Sequence, residues 1–366
     1  MYNRRVQLRR EFVLLIGMLL VGMVGCMGLP EASSDWNTVY NGARMRYQRQ
    51  QFMQAKGLGQ RAVDLAMEQY GAGDMKVVES FIVMGMASYA MEAWPEAAHA
   101  FERALAQRGI EASGNENIQI DAVNLLGLCY TEMGRYQDAI RAHKRQLALV
   151  ERKYGAESTE MAMSLNNLGF VYTQAGQLSH AEPLLVRQIE VLEVTGNKAG
   201  RDYSDAHYNM GLLRYKQGRF SDAAAKFKKS GDLLDRIHGV GEIEVAAYRL
   251  QAGMMWLKAG RGGDAKIQLE NVVRVYDRHV AKLGLQVAIG KAALAAACEK
   301  VGDVERAKQL RGEVRGMYRS AFGAEDAVIA EMLGGRVKEL RSLNRWVEAD
   351  FLKAYSARFK AGQWVQ

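Results

Sequence analysis

The side chains able to do chemistry in this chain are scattered, and their spacing excludes most of what they could do. Six histidines, His99, His143, His180, His207, His238 and His279, never fall at metal-ligand spacing, and neither an HExxH segment nor a paired CxxC motif occurs. Gly284 to Lys291 has the outline of a phosphate loop. It fails on two counts, with five residues rather than four between its glycines and Ala292 where a hydroxyl would hold magnesium. Acidic pairs are numerous on helical segments, where they read as solvated surface. The chain is therefore expected not to be an enzyme and to need no cofactor. What recurs instead is an amide or a phenol: Asn124, Asn166 and Tyr208 stand 42 residues apart. An amide both donates and accepts hydrogen bonds, so a ladder of them can hold the backbone of an extended peptide. Cys26, directly after an apolar run, offers a separate thiol chemistry.

The same interval runs through the whole chain. Gly85, Gly127, Gly169, Gly211 and Gly253 are in register, Ala295 continues the series, and twelve residues beyond each comes an alanine: Ala97, Ala139, Ala181, Ala223, Ala265, Ala307 and Ala349. A fixed period of this size marks a repeat array, each unit being one supersecondary element. Small residues at both positions let two helices approach, so the glycine of the first helix is expected to face the alanine of the second. Gly134, Gly176, Gly218, Gly260 and Gly302 mark the turn between the helices, where glycine takes the left-handed conformation that ends a helix. Gly71, Gly155, Gly239 and Gly323 close the units.

Eight helix pairs follow, beginning near Asp35, with Phe52 and Ala55 occupying the positions of Trp94 and Ala97 and the last pair holding Trp346 and Ala349. Such units bury their apolar faces only by stacking on neighbours. Ser34 or Asp35 is placed to cap a helix starting at Trp36. Pro95 and Pro183 read as helix starts, where a missing N–H costs nothing. The segment from Ser113 to Asn117 reads as a surface turn.

If the repeat glycine is buried against its second helix, residues three before, one after and four after it lie on the opposite face of the first helix. That face holds Asn124, Leu128 and Thr131, then Asn166, Phe170 and Thr173, then Tyr208, Leu212 and Tyr215. These nine residues form the candidate groove for a protein or peptide partner. Asn167 and Asn209 are assigned instead to hydrogen bonds between repeats. Later units carry Leu250, Met254, Ile289 and Ala292, so the lining becomes apolar.

Leu168, Gly169, Tyr172, Ala181 and Leu185, with the strings Asn166-Asn167-Leu168 and Ala181-Glu182-Pro183-Leu184, resemble the tetratricopeptide repeat, in particular the 42-residue form of kinesin light chains. Leu126, Gly127, Tyr130 and Ala139 match it in the preceding unit. Ala43 and Val337 replace the glycine in the first and last units, and the family's closing proline is absent. The resemblance implies an all-α solenoid of about eight helix-turn-helix units, wound into a superhelix whose first helices line a concave groove. It also implies that asparagines at these positions contact a bound peptide.

The N-terminus has a different composition. Arg4, Arg5, Arg9 and Arg10 precede an uncharged apolar run from Phe12 to Val24, the layout of an export signal and shorter than the roughly 20 residues of a membrane span. Met23-Val24-Gly25-Cys26 resembles the lipobox of bacterial lipoproteins, which implies a signal over residues 1–25, a lipidated Cys26, a short tether over 26–34 and the solenoid over 35–366. An uncleaved anchor or an ordinary signal peptide is the other reading, and Arg9-Arg10 also resembles a twin-arginine signal. Met27 after the cysteine points, by the sorting pattern of that class, to the periplasmic face of an outer membrane.

Cys129 and Cys298, four repeats apart, are expected as small buried residues, too distant to bridge. The net charge of +8 falls to +5 without the leader. Two basic groups remain, Lys216, Arg219, Lys226, Lys228 and Lys229, and Lys308, Arg311, Arg315 and Arg319; they read first as solvated faces, next as contacts for anionic headgroups. Nucleic acid is not an expected partner, since no stacking aromatics interleave them. The sequence points to a membrane-tethered scaffold that binds a protein segment, or else to a receptor whose superhelix changes shape on binding a peptide signal. The oligomeric state cannot be read from it.

Overall fold

The computed structural model describes residues 33–360 apart from 112–113, 238–240, 323–325 and 343–344. The leader and Cys26 lie outside the described residues. Those described are α-helical throughout, with one short 3-10 turn (Arg108–Glu111) and no strand. The chain divides into two compact units, one ending at Val191 and the other running from Leu192 to the C-terminus.

The first unit contains α1 (Trp36–Gln48), α2 (Phe52–Tyr70), α3 (Met75–Ala90), α4 (Trp94–Leu105), α5 (Glu116–Glu132), α6 (Tyr136–Tyr154), α7 (Thr159–Gln174) and most of α8 (Leu178–Val194). The second contains α9 (Arg201–Lys216), α10 (Phe220–Asp235), α11 (Glu242–Lys258), α12 (Gly262–Asp277), α13 (Val280–Lys300), α14 (Val304–Phe322), α15 (Asp326–Ser342) and α16 (Trp346–Lys360). Odd-numbered helices are the first helices of hairpins and even-numbered ones the second.

Asp35 caps α1, its carboxylate accepting from the Thr38 amide at 2.9 Å. Gly134, Gly176, Gly218, Gly260 and Gly302 have φ between 71° and 78°, which closes each hairpin in the left-handed conformation. The first two units hold Gln50 and Glu92 at the corresponding positions with φ of 61° and 60°. Pro183 departs from expectation. It sits inside α8 rather than at its start, where it costs a backbone hydrogen bond on an exposed side of the helix.

The close approach of the two helices is not glycine against alanine. The alanines from Ala97 to Ala349 are fully buried, but a Cβ placed on the repeat glycine would strike the residue one turn further on. At Gly85 it would lie 2.7 Å from the Phe101 ring, at Gly127 2.6 Å from His143, at Gly169 2.7 Å from Leu185, at Gly211 2.9 Å from Phe227 and at Gly253 2.6 Å from Leu269. A large side chain on each second helix therefore seats directly on first-helix backbone. The alanine beside it only permits the approach.

Within each unit stacking then proceeds as a second helix packs along the next first helix, as α2 does on α3 and α12 on α13. The last hairpin differs: among the described residues α15 makes few contacts with α14. At the seam position where Gly231 of α10 meets Tyr248 and Arg249 of α11, α12 carries Val273 and α14 carries Arg315. An arginine thus stands where the earlier second helices carry a small or apolar residue.

Gly169→Ala is expected to lower stability, because overpacking a filled site costs about 1–3 kcal/mol against a helix-propensity gain of at most about 1 kcal/mol. Gly57→Ala, in the middle of α2 with nothing within 4 Å of the new methyl, is expected to raise it. Thermal unfolding of the two variants checks the opposite signs.

Candidate partner-binding faces

In the first unit the predicted face divides into buried and accessible residues. Asn124 is buried at 2% exposure and accepts a hydrogen bond from the Asn167 side chain at 2.9 Å. This ties α5 to α7 and makes Asn124 part of the joint between repeats rather than of a groove. Asn167 holds the role expected for it. Thr131 and Thr173 are also buried, each hydroxyl donating to a carbonyl of its own helix, Gly127 and Gly169 respectively, at 2.8 Å. Leu128, Asn166 and Phe170 remain partly accessible. They are the part of the ladder that could meet a partner.

Beside them Asp121 lies two turns before Leu128 on the same face. Burial pushes its carboxyl up to about 6, opposed by Lys153. Behind the face, His143 fills the Gly127 notch, where other units use leucine or phenylalanine. It is fully buried, with Nδ1 3.1 Å from the Gln146 amide oxygen and no partner for Nε2. Burial lowers it to about 4.

In the second unit Leu212 is buried, and Tyr208 packs in an aromatic cluster with Phe227 and Tyr248 at ring-centre distances of 5.1 and 5.0 Å. Tyr215 is engaged elsewhere: its hydroxyl donates to the carboxylate of Asp350 on α16. The Gln251 amide donates to Glu348 Oε1 at 2.7 Å, and Lys258 Nζ lies 3.8 Å from Asp350. Lys216 sits over the Trp346 ring at 5.0 Å. Helix α16 thus lies across the first-helix faces of α9, α11 and α13. An open cleft of about 440 Å³ remains beside it, walled by Met254, Leu257 and Ala296 on one side and Val347, Phe351 and Ala354 on the other.

Met254, one residue after Gly253, belongs to the apolar lining expected of the later units; Leu257, four residues after it, and the helix that covers both have no signal in the repeat pattern. Three of the nine basic residues are paired locally: Arg219 with Asp222, Lys228 with Asp232, and Arg311, largely buried rather than on an outer stripe, with Glu299. Cys129 and Cys298 are buried free thiols. Among the described residues no group of His, Cys, Asp and Glu gathers as metal ligands, and no helix is long and apolar enough to cross a membrane.

Tandem helical hairpins, five of them closed by a left-handed glycine and five locked by one large side chain on backbone, form an α-solenoid with the fold of tetratricopeptide arrays. Residues 119–193 match the tetratricopeptide repeat family, and this segment contains the Asn124–Asn167 joint. Among solved structures, the chain is similar to the apo form of RapI (14% identity, covering 78% of this chain and 99% of that one, TM-score 0.55). It is also similar to BtubC from P. vanneervenii (16% identity, 68% and 93%, TM-score 0.51) and to kinesin light chain TPR-like repeats from Podosopora anserina (16% identity, 56% and 98%, TM-score 0.50). At these identities the likeness is one of fold. No curated protein matches the chain.

Two expectations follow. Asn124→Ala should cost about 1–3 kcal/mol by leaving Asn167 without its buried partner, and the double variant with Asn167→Ala should cost less than the sum of the two. A double-mutant cycle in urea checks it. For His143, the folded value lies below the ordinary 6.5, so the unfolded chain binds the proton first and stability is lost as pH falls from about 6.5 to about 4. Asp121, raised in the fold, acts in the opposite sense over the overlapping range. His143→Leu leaves the Asp121 contribution in place. Its stability relative to the parent should therefore grow by up to about 1.4 kcal/mol per pH unit on acidification, read from unfolding midpoints at pH 7, 6 and 5.

Proposed function

We propose that this chain is an exported, lipid-anchored scaffold that holds a segment of another protein on the first-helix faces of its repeats. The fold supports a protein-binding role in general terms, since tandem helical repeats offer an extended surface with no built-in chemistry. One observation carries the reading further. A first-helix face of the second unit already supports a helix, α16, which meets it through side chains at the positions predicted for partner contact. A surface that seats one helix by apolar contact, hydroxyl and amide has the means to seat another.

The leader supports the anchoring half. Its basic start, apolar run and Gly25-Cys26 junction suit lipidation of Cys26 and retention at a membrane, on the periplasmic side of an outer membrane where the organism has one. A scaffold held there would recruit its partner to an envelope assembly.

Photo-crosslinking in cells from position 166, with position 315 as the control, tests the binding half. A discrete protein adduct from 166 alone is expected, and adducts from 315 alone would sink the reading. Labelling with radioactive palmitate tests the anchor: Cys26→Ser should lose the label and leave the membrane fraction, and unchanged labelling would rule Cys26 out.

A further inference from the structure

The last hairpin obeys the repeat register yet does not stack as a repeat. Ala349 is fully buried in its expected place, and the α15–α16 hairpin closes on itself, the Ser356 hydroxyl donating to the Ala330 carbonyl at 2.8 Å. Among the described residues it makes few contacts with α14. What holds it to the array is α16, lying across α9, α11 and α13.

That contact has the composition of a ligand in a site. Val347, Asp350, Phe351 and Ala354 recur at helical spacing, so one stripe of α16 faces the surface while Ala349 and Ser356 serve the hairpin. Asp350 meets both the Tyr215 hydroxyl and the Lys258 ammonium, and Lys258 itself lies 5.0 Å over the Tyr215 ring. Glu348 is 2% exposed, held by the Gln251 amide and by Arg345 of its own hairpin. The Arg345–Glu348 pair is buried, so it fixes geometry and contributes little net stability because desolvation offsets most of the attraction, whereas Asp350 and Lys258 stay partly exposed. The open cleft beside α16 is walled in part by half-buried Leu257 and Ala296, apolar surface that the resident helix does not fully cover. The receiving face thus offers more contact than α16 uses.

Building on the scaffold reading above, we propose that the first-helix face of α9, α11 and α13 is a docking surface for an amphipathic helix of a partner protein. That helix carries apolar residues four apart with carboxylates between them, as Val347, Glu348, Asp350 and Phe351 do, and the α15–α16 hairpin is its intramolecular stand-in, displaced when the partner binds. The apolar residues fill the cleft. The carboxylates are selected by Tyr215, Gln251 and Lys258, and a helix with basic residues at those places is rejected by Lys216, Lys258 and Lys300 around the rim. A partner helix with bulkier apolar groups than Val347 and Ala354 would cover the surface that the hairpin leaves open, which favours exchange.

The probe is a fluorescein-labelled peptide of residues 345–360, titrated into the full chain and followed by anisotropy. Asp350→Lys with Phe351→Ala in the chain loosens the resident hairpin and leaves the receiving face intact, so it should bind the peptide at least tenfold more tightly than the parent. Adding Tyr215→Phe and Lys258→Ala should abolish the gain. Equal affinity for parent and loosened chain, insensitivity to the receiving-face changes, or no binding to any form would overturn the proposal. Hydrogen exchange on the unmodified chain is the second measurement: amides of α16 should exchange at least tenfold faster than those of α11, and equal rates would make the hairpin an integral cap. A crosslink from position 166 together with failed peptide binding would leave the scaffold reading standing and remove this one.

Discussion

Five of the hairpins depend on one contact, a large side chain of the second helix seated on the backbone of the first. Packed interiors have almost no free volume, so a helix pair can approach this closely only where one partner has no Cβ. Phe101, His143, Leu185, Phe227 and Leu269 are five solutions to the same geometric demand. Their chemical variety shows that the site selects for volume more than for type. His143 is the costly solution, since its second ring nitrogen is buried without a partner. That contact also orients the first helix. Once the glycine is turned towards the second helix, the residues three before, one after and four after it must turn away.

The faces so presented are used differently in the two units. In the first, polar residues on the predicted face partly serve the array itself: Asn124 and Asn167 bind each other across a repeat, and two threonines close on their own helices. A buried amide is too expensive to leave for an intermittent partner, and the nearest available partner is the next repeat. The accessible remainder is Leu128, Asn166 and Phe170. In the second unit the face turns apolar and is covered by α16. Stability and recognition draw on the same positions, so a residue type alone does not say which of the two it serves.

The terminal hairpin follows from how arrays end. An internal unit is fixed from both sides, whereas the last one has a single seam, and here that seam carries Arg315. The hairpin finds burial through Val347 and Phe351 on the first helices. Its two carboxylates then need partners, and Tyr215, Lys258, Gln251 and Arg345 supply them.

The sequence by itself determined the helix pairs, their turns and their order. Those depend on small residues and left-handed glycines at a fixed interval, and each acts within a hairpin or between adjacent ones. Helical period also indicates which side of a first helix turns away from its second helix, but not that Asn124, Thr131, Thr173 and Leu212 on that side are buried. Only the tertiary structure decided that the glycines oppose Leu185 and its counterparts rather than the alanines, since the choice between residues one turn apart depends on how the two helices are offset along their axes. Only the tertiary structure placed Asn124 in a joint, Pro183 within a helix and α16 on Tyr215. The last contact joins residues 135 positions apart, and no local period reaches across that distance.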